Sequence, residues 1–478
     1  MSVTQRRIAT NTTFYIAALS VQKVLSFVYF SYLARSLGTD LTGKYFFAMS
    51  VAAIITAAID LGFTPVLTRE VAKEPEHAKS ILSQIIGLKI IFAAIVAAGV
   101  FMIVPHVIDE VIVRHLIYIG VAIAFADSFA LTFYATIRAH QNLTYESVTA
   151  MLFQVIVIIV GGFAVYRGAD IRIIMSAILL ASIFNATVPI VVIVKKLGIR
   201  FRTSYDWPLT KHLIRLTIPF ALAAVFTKLY AYLDTVFLRF MSGDAAVGIY
   251  SVAYKATFAF QFLPLAFVAA LYPAFSYFWN NDKERLTDTF MRSMHYLLII
   301  AMPITFGVSA LAFWVIPAVY TDAYNGAIVP LIVLLSSLPF LFLNFPVAAL
   351  LNACNKQNVQ TLNLGITMAL NVVLNLILIP KYGPLGAAIA SSVSTLFIFV
   401  LGIIAARRLV SFDWSLVTTF IRLVIAAVVM CIVTVAIMRA TNWYFAVVPA
   451  AVVYLVLIYL LRVVKQDDLR YLKTLVRR

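Results

Sequence analysis

The chain has 478 residues, 63% of them apolar and 12% charged, with a mean hydropathy of +0.99 and a formal net charge of +17. A soluble domain of this size needs many more surface charges, and an aromatic content of 13% excludes disorder. Cys354 and Cys431 form no CxxC and lie in apolar runs, so neither a disulfide framework nor a zinc cluster is expected.

A bilayer-crossing helix needs about 20 apolar residues. Cutting the chain at its charged, Gly, Pro and Asn clusters predicts fourteen spans, roughly 10–33, 44–68, 81–104, 116–137, 147–166, 172–194, 212–240, 246–270, 290–311, 326–350, 359–379, 384–405, 417–438 and 442–462. Arg6 and Arg7 precede a full-length span rather than a short apolar core, so no cleaved leader is expected. With the N-terminus inside, 25 Lys and Arg fall in inner segments, 8 in outer ones and 4 within spans. Cytoplasmic loops retain basic residues, so both termini are predicted to be cytoplasmic, in the cell membrane. The basic loop 195–215 and the tail 462–478 then carry much of the net charge. Topology and attraction to anionic headgroups account for them without nucleic-acid binding. The six histidines (His77, His106, His115, His140, His212 and His295) have no metal-ligand spacing, and no GxxxxGK[ST] loop occurs. No metal, cofactor or catalytic centre is expected, and with no long hydrophilic loop, function must reside in or at the edge of the membrane.

Sliding the chain by 205 residues superposes the first span on the seventh. Seven of 41 positions match over 14–54, among them Lys23/Lys228, Gly38/Gly243, Gly43/Gly248 and Tyr45/Tyr250. Six spans separate the copies, so both halves enter the membrane from the same side, as in a parallel repeat about an axis along the membrane normal. The predicted fold is therefore all-α and polytopic. Two six-helix bundles, 1–200 and 201–410, are related by a pseudo-two-fold, and 411–478 adds two helices and a basic tail.

Local motifs extend this reading. Leu33-Ala-Arg-Ser-Leu-Gly38, Gly43-Lys-Tyr45, Asp60-Leu-Gly-Phe and Thr68-Arg-Glu70 resemble the opening of lipid-linked oligosaccharide flippases of the polysaccharide-transporter type. These belong to the multidrug/oligosaccharidyl-lipid/polysaccharide exporter superfamily. Asp234, the stretch from Gly243 to Tyr250, Tyr254, Leu263-Pro-Leu265, Asn371-Val-Val-Leu-Asn375, the run from Leu378 to Gly383 and the run from Gly386 to Ala390 continue the resemblance, which covers roughly 5–405. It implies a flippase for a polyprenyl-phosphate-linked oligosaccharide, with membrane lipids and the glycosyltransferases or polymerase of the same pathway as partners. It also implies that the first and seventh spans line a central cleft.

Seven charges fall inside spans: Lys23, Asp60, Lys89, Asp127, Lys228, Asp234 and Lys255. Each costs about 2.5–3.5 kcal/mol at a helix centre, which disfavours lipid-facing positions. Asp60 and Lys89 lie at similar depths on adjacent antiparallel spans and are suited to pair, as are Asp234 and Lys255. Lys23 and Lys228 have no carboxylate at i±3 or i±4 and are equivalent under the repeat. Two uses fit them: counter-charge for a lipid phosphate in the cleft, or snorkelling to an interface. Lys255 and Asp234 are further cavity candidates, and Asp60, Asp127 and Asp234 are candidates for ion coupling. Asn363, Thr367, Asn371 and Asn375 recur every four residues, fitting interhelical hydrogen bonds or a sugar-lined cavity. Tyr15, Tyr29, Tyr32, Tyr230 and Tyr232 fit sugar stacking or ordinary packing. Pro65, Pro219, Pro264, Pro303 and Pro339 are expected to kink spans. The rivals are a cation-coupled drug exporter of the same superfamily, a membrane-embedded glycosyltransferase and a structural scaffold. An exporter of cations would favour acidic cavity groups, a glycosyltransferase would carry a large hydrophilic loop, and a scaffold has no reason to bury charge.

Overall fold

A computed structural model describes residues 3–199 and 206–463, so the tail beyond 463 and part of the basic loop lie outside the described residues. Every described element is helical. Twelve helices are long and apolar enough to cross a membrane, and the pair Asp322–Ser336 and Leu338–Ala353, bent by 41°, forms one more span. The first of the twelve, Ala17–Asp60, is itself divided at Gly38. By length and composition the count among the described residues is twelve, or thirteen with the bent pair as one span, and the break at Gly38 separates the first two of the fourteen predicted segments. Their outward faces carry exposed apolar side chains such as Ile95, Met102, Phe163, Val448 and Leu460, as lipid contact requires.

Helix starts follow ordinary capping chemistry. Asp170, Asp206 and Asp282 accept backbone N–H groups from Arg172 (2.8 Å), Leu209 (3.4 Å) and Arg285 (3.0 Å). The Asp170 carboxyl, bonded to the Arg172 guanidinium and N–H, is held down at about 2. Pro219 and Pro303 lie within continuous helices. The other three prolines behave differently: Pro65, Pro264 and Pro339 each sit in the first turn after a break, at Leu61–Gly62, Ala259–Gln261 and Ser337. Proline is tolerated there because the first N–H groups of a helix have no intrahelical acceptor; Pro65 and Pro264 thus stand at helix starts, and Pro339 marks the 41° bend between Asp322–Ser336 and Leu338–Ala353.

The repeat is visible in the backbone. Gly38 has φ 74° and ψ 178°, and its equivalent Gly243 has φ 84° and ψ 179°, a region open only to glycine. Each ends a helix before the chain turns into the next. Gly43 and Gly248 then bring the two turns together: a Cβ on Gly43 would lie 1.8 Å from Asp244 O, and one on Gly248 would lie 1.9 Å from Thr39 O. Thr39 and Asp244 are themselves equivalent under the 205-residue offset, so the contact is reciprocal, the pattern a two-fold axis produces.

The chain divides into two compact units, Met1–Ser251 with Leu364–Pro384, and Val252–Asn363 with Leu385–Arg478. In the first, Phe63, Val66, Leu67 and Val71 from the short Phe63–Lys73 helix pack with Ile81, Leu82 and Ile85 of the Ala78–Val107 helix in a buried cluster. In the second, the Ser415–Ala440 and Trp443–Leu460 helices pack on the Lys283–Tyr320 helix, where Tyr454 Oη donates to Ile299 O at 2.9 Å. The Cys354 thiol is buried, and burial pushes it up to about 11. It is therefore expected to resist a membrane-impermeant maleimide at neutral pH, so that single introduced cysteines report topology cleanly. Rapid labelling of the native chain at Cys354 would contradict this.

Candidate functional site

Three charged groups lie within the spans of the first unit, and their surroundings separate them. Lys89 is fully buried on the Ala78–Val107 helix. Its Nζ donates to Asp60 Oδ1 at 2.8 Å, Ser128 O at 2.6 Å and Thr132 Oγ1 at 2.7 Å. Thr64 Oγ1 donates to the same Asp60 oxygen at 2.6 Å. An ammonium has three donors, so this one is saturated and has none left for a ligand.

Asp234, 2% exposed on the Trp207–Ser242 helix, accepts from Tyr250 Oη at 2.9 Å and from Asn375 Nδ2 at 2.6 Å. Asn375 Nδ2 also donates to Asn371 Oδ1 at 2.9 Å. The asparagine stripe of the Gln357–Tyr382 helix thus includes an interhelical hydrogen bond, and its acceptor is a carboxylate. Asp234 is held by neutral donors. Lys255, its expected partner by depth, belongs to the second unit.

The third group is open. Lys23 is exposed on the first helix, and Lys228 is half-buried with its Nζ over the Tyr232 ring at 5.7 Å from the centroid. Lys228 lies within electrostatic reach of both Lys23 and Asp127, and Asp127 also interacts with the Ser182 side chain. Lys228 thus stands between the repeat-equivalent Lys23 and the Asp127 carboxylate, a group of two cations and one anion. Tyr29 is buried against Gly161, in the π-helical turn Val157–Gly161, so it packs rather than offering a stacking face.

A fourth cluster escaped the sequence reading. Lys44 pairs with Asp40 (2.9 Å) and with Glu110; Arg239 pairs with Glu110 (3.4 Å) and with Asp244. These five residues lie beside the Gly38 and Gly243 turns and flank the Gly43–Gly248 contact. The Asp40–Lys44 spacing of four was readable as a helical pair. Glu110, in a short loop far away in sequence, gave no signal.

An all-helical chain with this many apolar spans and a reciprocal hairpin contact defines a multi-pass membrane protein. The sequence model described as "Polysaccharide biosynthesis protein" matches residues 8–279, and the chain belongs to that family. The model described as MatE matches residues 219–377. The chain is 31% identical over 183 residues to the "Probable flippase AglR" of Haloferax volcanii, covering 37% of each chain. It is 20% identical over 376 residues to the "Probable low-salt glycan biosynthesis flippase Agl15" of the same organism, covering 77% of each. Among solved structures it is similar to the lipid II flippase MurJ in an inward closed conformation, with TM-score 0.78, 16% identity, and 95% of this chain and 99% of that one covered.

Proposed function

We propose that this protein flips a polyprenyl-phosphate-linked oligosaccharide across the cytoplasmic membrane by alternating access, with both termini cytoplasmic. The observation that supports the reading is that Lys228 lies within electrostatic reach of Asp127 and of Lys23, its equivalent under the 205-residue offset. A lipid phosphate leaving the headgroup layer needs counter-charge at close range, and these lysines supply it. The probable flippases AglR and Agl15 support the same class of substrate.

In this reading residues 1–200 and 201–410 act as two bundles that rock about the pseudo-two-fold, with 411–478 as the added pair and tail. Sugar and phosphate pass through a hydrated path while the lipid tail stays in the bilayer. The Gly43–Gly248 contact and the Lys44–Glu110–Arg239–Asp244 ion pairs close the outer side and must separate for release. Asp60 and Lys89 hold helices together. Asp234, caged by neutral donors, is assigned to coupling rather than to phosphate, and Lys255 is the candidate that follows Lys23 and Lys228. The enzymes that build or polymerise the glycan are the expected partners.

Losing one ammonium should weaken phosphate binding by about 1–3 kcal/mol, the scale of a charge-assisted hydrogen bond. Lys23→Gln and Lys228→Gln are expected to reduce glycan export at normal membrane abundance, and Lys→Arg to retain part of it. Parental export by both Gln variants would remove these lysines from the site and move attention to Lys255. The match to the MatE model favours one second reading, a cation-coupled exporter of drugs. On that reading Asp127→Asn rather than the lysine changes would abolish transport, and expression would raise drug resistance.

A further inference from the structure

The second unit contains a cleft of about 1000 Å³ that the transport reading does not use. It lies where the Pro384–Ala406 helix ends and the Lys283–Tyr320 and Ser415–Ala440 helices begin, with the turn Arg407–Asp413 as one wall. The Lys283–Tyr320 helix has 38 residues, a length of about 57 Å against a hydrocarbon core of about 30 Å. Its first turns therefore stand among lipid headgroups, and so does the cleft.

The lining holds four cations, Lys283, Arg292, Arg407 and Arg408, against three carboxylates, Glu284, Asp288 and Asp413, and its excess charge lies on the arginine pair. Arg292 is paired with Asp288 at 3.0 Å, Asp413 Oδ1 accepts from Ser415 N at 3.2 Å, and Lys283 lies over the Trp279 ring. Glu284 adds one exposed carboxylate. Arg407 and Arg408 are both exposed, and among the described residues neither has a carboxylate within ion-pair distance. A second, independent feature points to lipid. Trp414, 80% exposed, stands beside the cleft, with Ile404, Val417 and Ile421 each about half exposed on the helices leading into the bilayer. Phe412 is instead turned inward against Phe290 (5.8 Å between centroids), which holds the turn in place. An arginine pair beside an interfacial tryptophan, above lipid-facing aliphatics, matches a phosphate head with acyl chains descending next to it.

We infer that Arg407 and Arg408 dock the phosphate headgroup of an anionic membrane phospholipid in this cleft, fastening the C-terminal helix pair to the Lys283–Tyr320 helix. On the orientation proposed above the lipid comes from the cytoplasmic leaflet, but the site exists whichever way the chain is inserted and is separate from the transported substrate.

The test uses the full chain in vesicles of equimolar phosphatidylglycerol and phosphatidylcholine, followed by native mass spectrometry of the lipids it retains. The chain is expected to keep phosphatidylglycerol in preference to phosphatidylcholine. The preference should fall roughly fivefold for each arginine lost in Arg407→Gln and Arg408→Gln, and the paired Lys variants should keep most of it. Ser411→Glu, an exposed change that leaves both arginines in place, should lower the preference by repulsion and covers the case in which the Gln variants fail to fold. Unchanged retention in a folded Gln double variant or in Ser411→Glu overturns the site. Displacement of the lipid by millimolar inorganic phosphate would show a free-phosphate site and overturn the assignment to lipid.

Discussion

Replacing Gly43 or Gly248 with alanine is expected to abolish the close approach of the two hairpins and with it most export. A Cβ at either position meets a backbone carbonyl oxygen, of Asp244 or Thr39, at under 2 Å. Backbone cannot swing aside as a side chain can, so the two turns must part by more than an ångström. Overpacking of this kind costs about 1–3 kcal/mol and sometimes more. The separation also lengthens the Lys44–Glu110 and Arg239–Asp244 pairs that flank the contact. Because the two glycines fill one reciprocal contact, the double variant should be little worse than either single one. Membrane abundance and glycan export measured side by side test this. Normal export by well-inserted Gly43→Ala and Gly248→Ala would show that the contact is not part of the cycle.

Lys89→Met is expected to destabilise the protein by about 3–5 kcal/mol, because Asp60 is left as a buried carboxylate without its partner. Exchanging the two charges is not expected to restore stability. A carboxylate at 89 would face Ser128 O, which accepts from the ammonium in the native chain. Asp60→Asn with Lys89→Met should recover a large part of the loss, since no isolated charge remains buried. Thermal unfolding in detergent gives the coupling from the two singles and the double. Strictly additive losses would mean that the pair contributes no coupling, despite its 2.8 Å separation.

The sequence shows helices, their number and the offset of the repeat because each has a simple cause. Twenty apolar residues cover a bilayer, and glycines at 38, 43, 243 and 248 answer to backbone demands that no other residue meets. Depth along a helix also suffices to suggest Asp60 with Lys89, since adjacent antiparallel spans bring equal depths together. For Asp234 depth pointed to Lys255, and within the first unit Tyr250 and Asn375, which carry no formal charge, also hold the carboxylate. Neutral donors leave no charge pattern to read, although the four-residue spacing of Asn371 and Asn375 marked the helix face that supplies them. The Lys44–Glu110–Arg239–Asp244 cluster was hidden for another reason. Its members come from three separate turns, and only the folded hairpins bring them together. The arginine pair at 407 and 408 was legible as topology, but the cleft beside it depends on three helix ends meeting at one level.

The most direct measurement of the central claim is translocation by the purified chain in vesicles loaded on one leaflet with a polyprenyl-diphosphate oligosaccharide. Appearance of the glycan on the opposite leaflet is scored by an impermeant lectin or glycosidase. The account predicts transfer well above protein-free vesicles, reduced in Lys228→Gln and blocked in Gly43→Ala, with no transfer of the same oligosaccharide lacking its lipid phosphate. Transfer at the protein-free rate by folded, correctly inserted protein, or equal transfer by the native and Lys228→Gln chains, would contradict it.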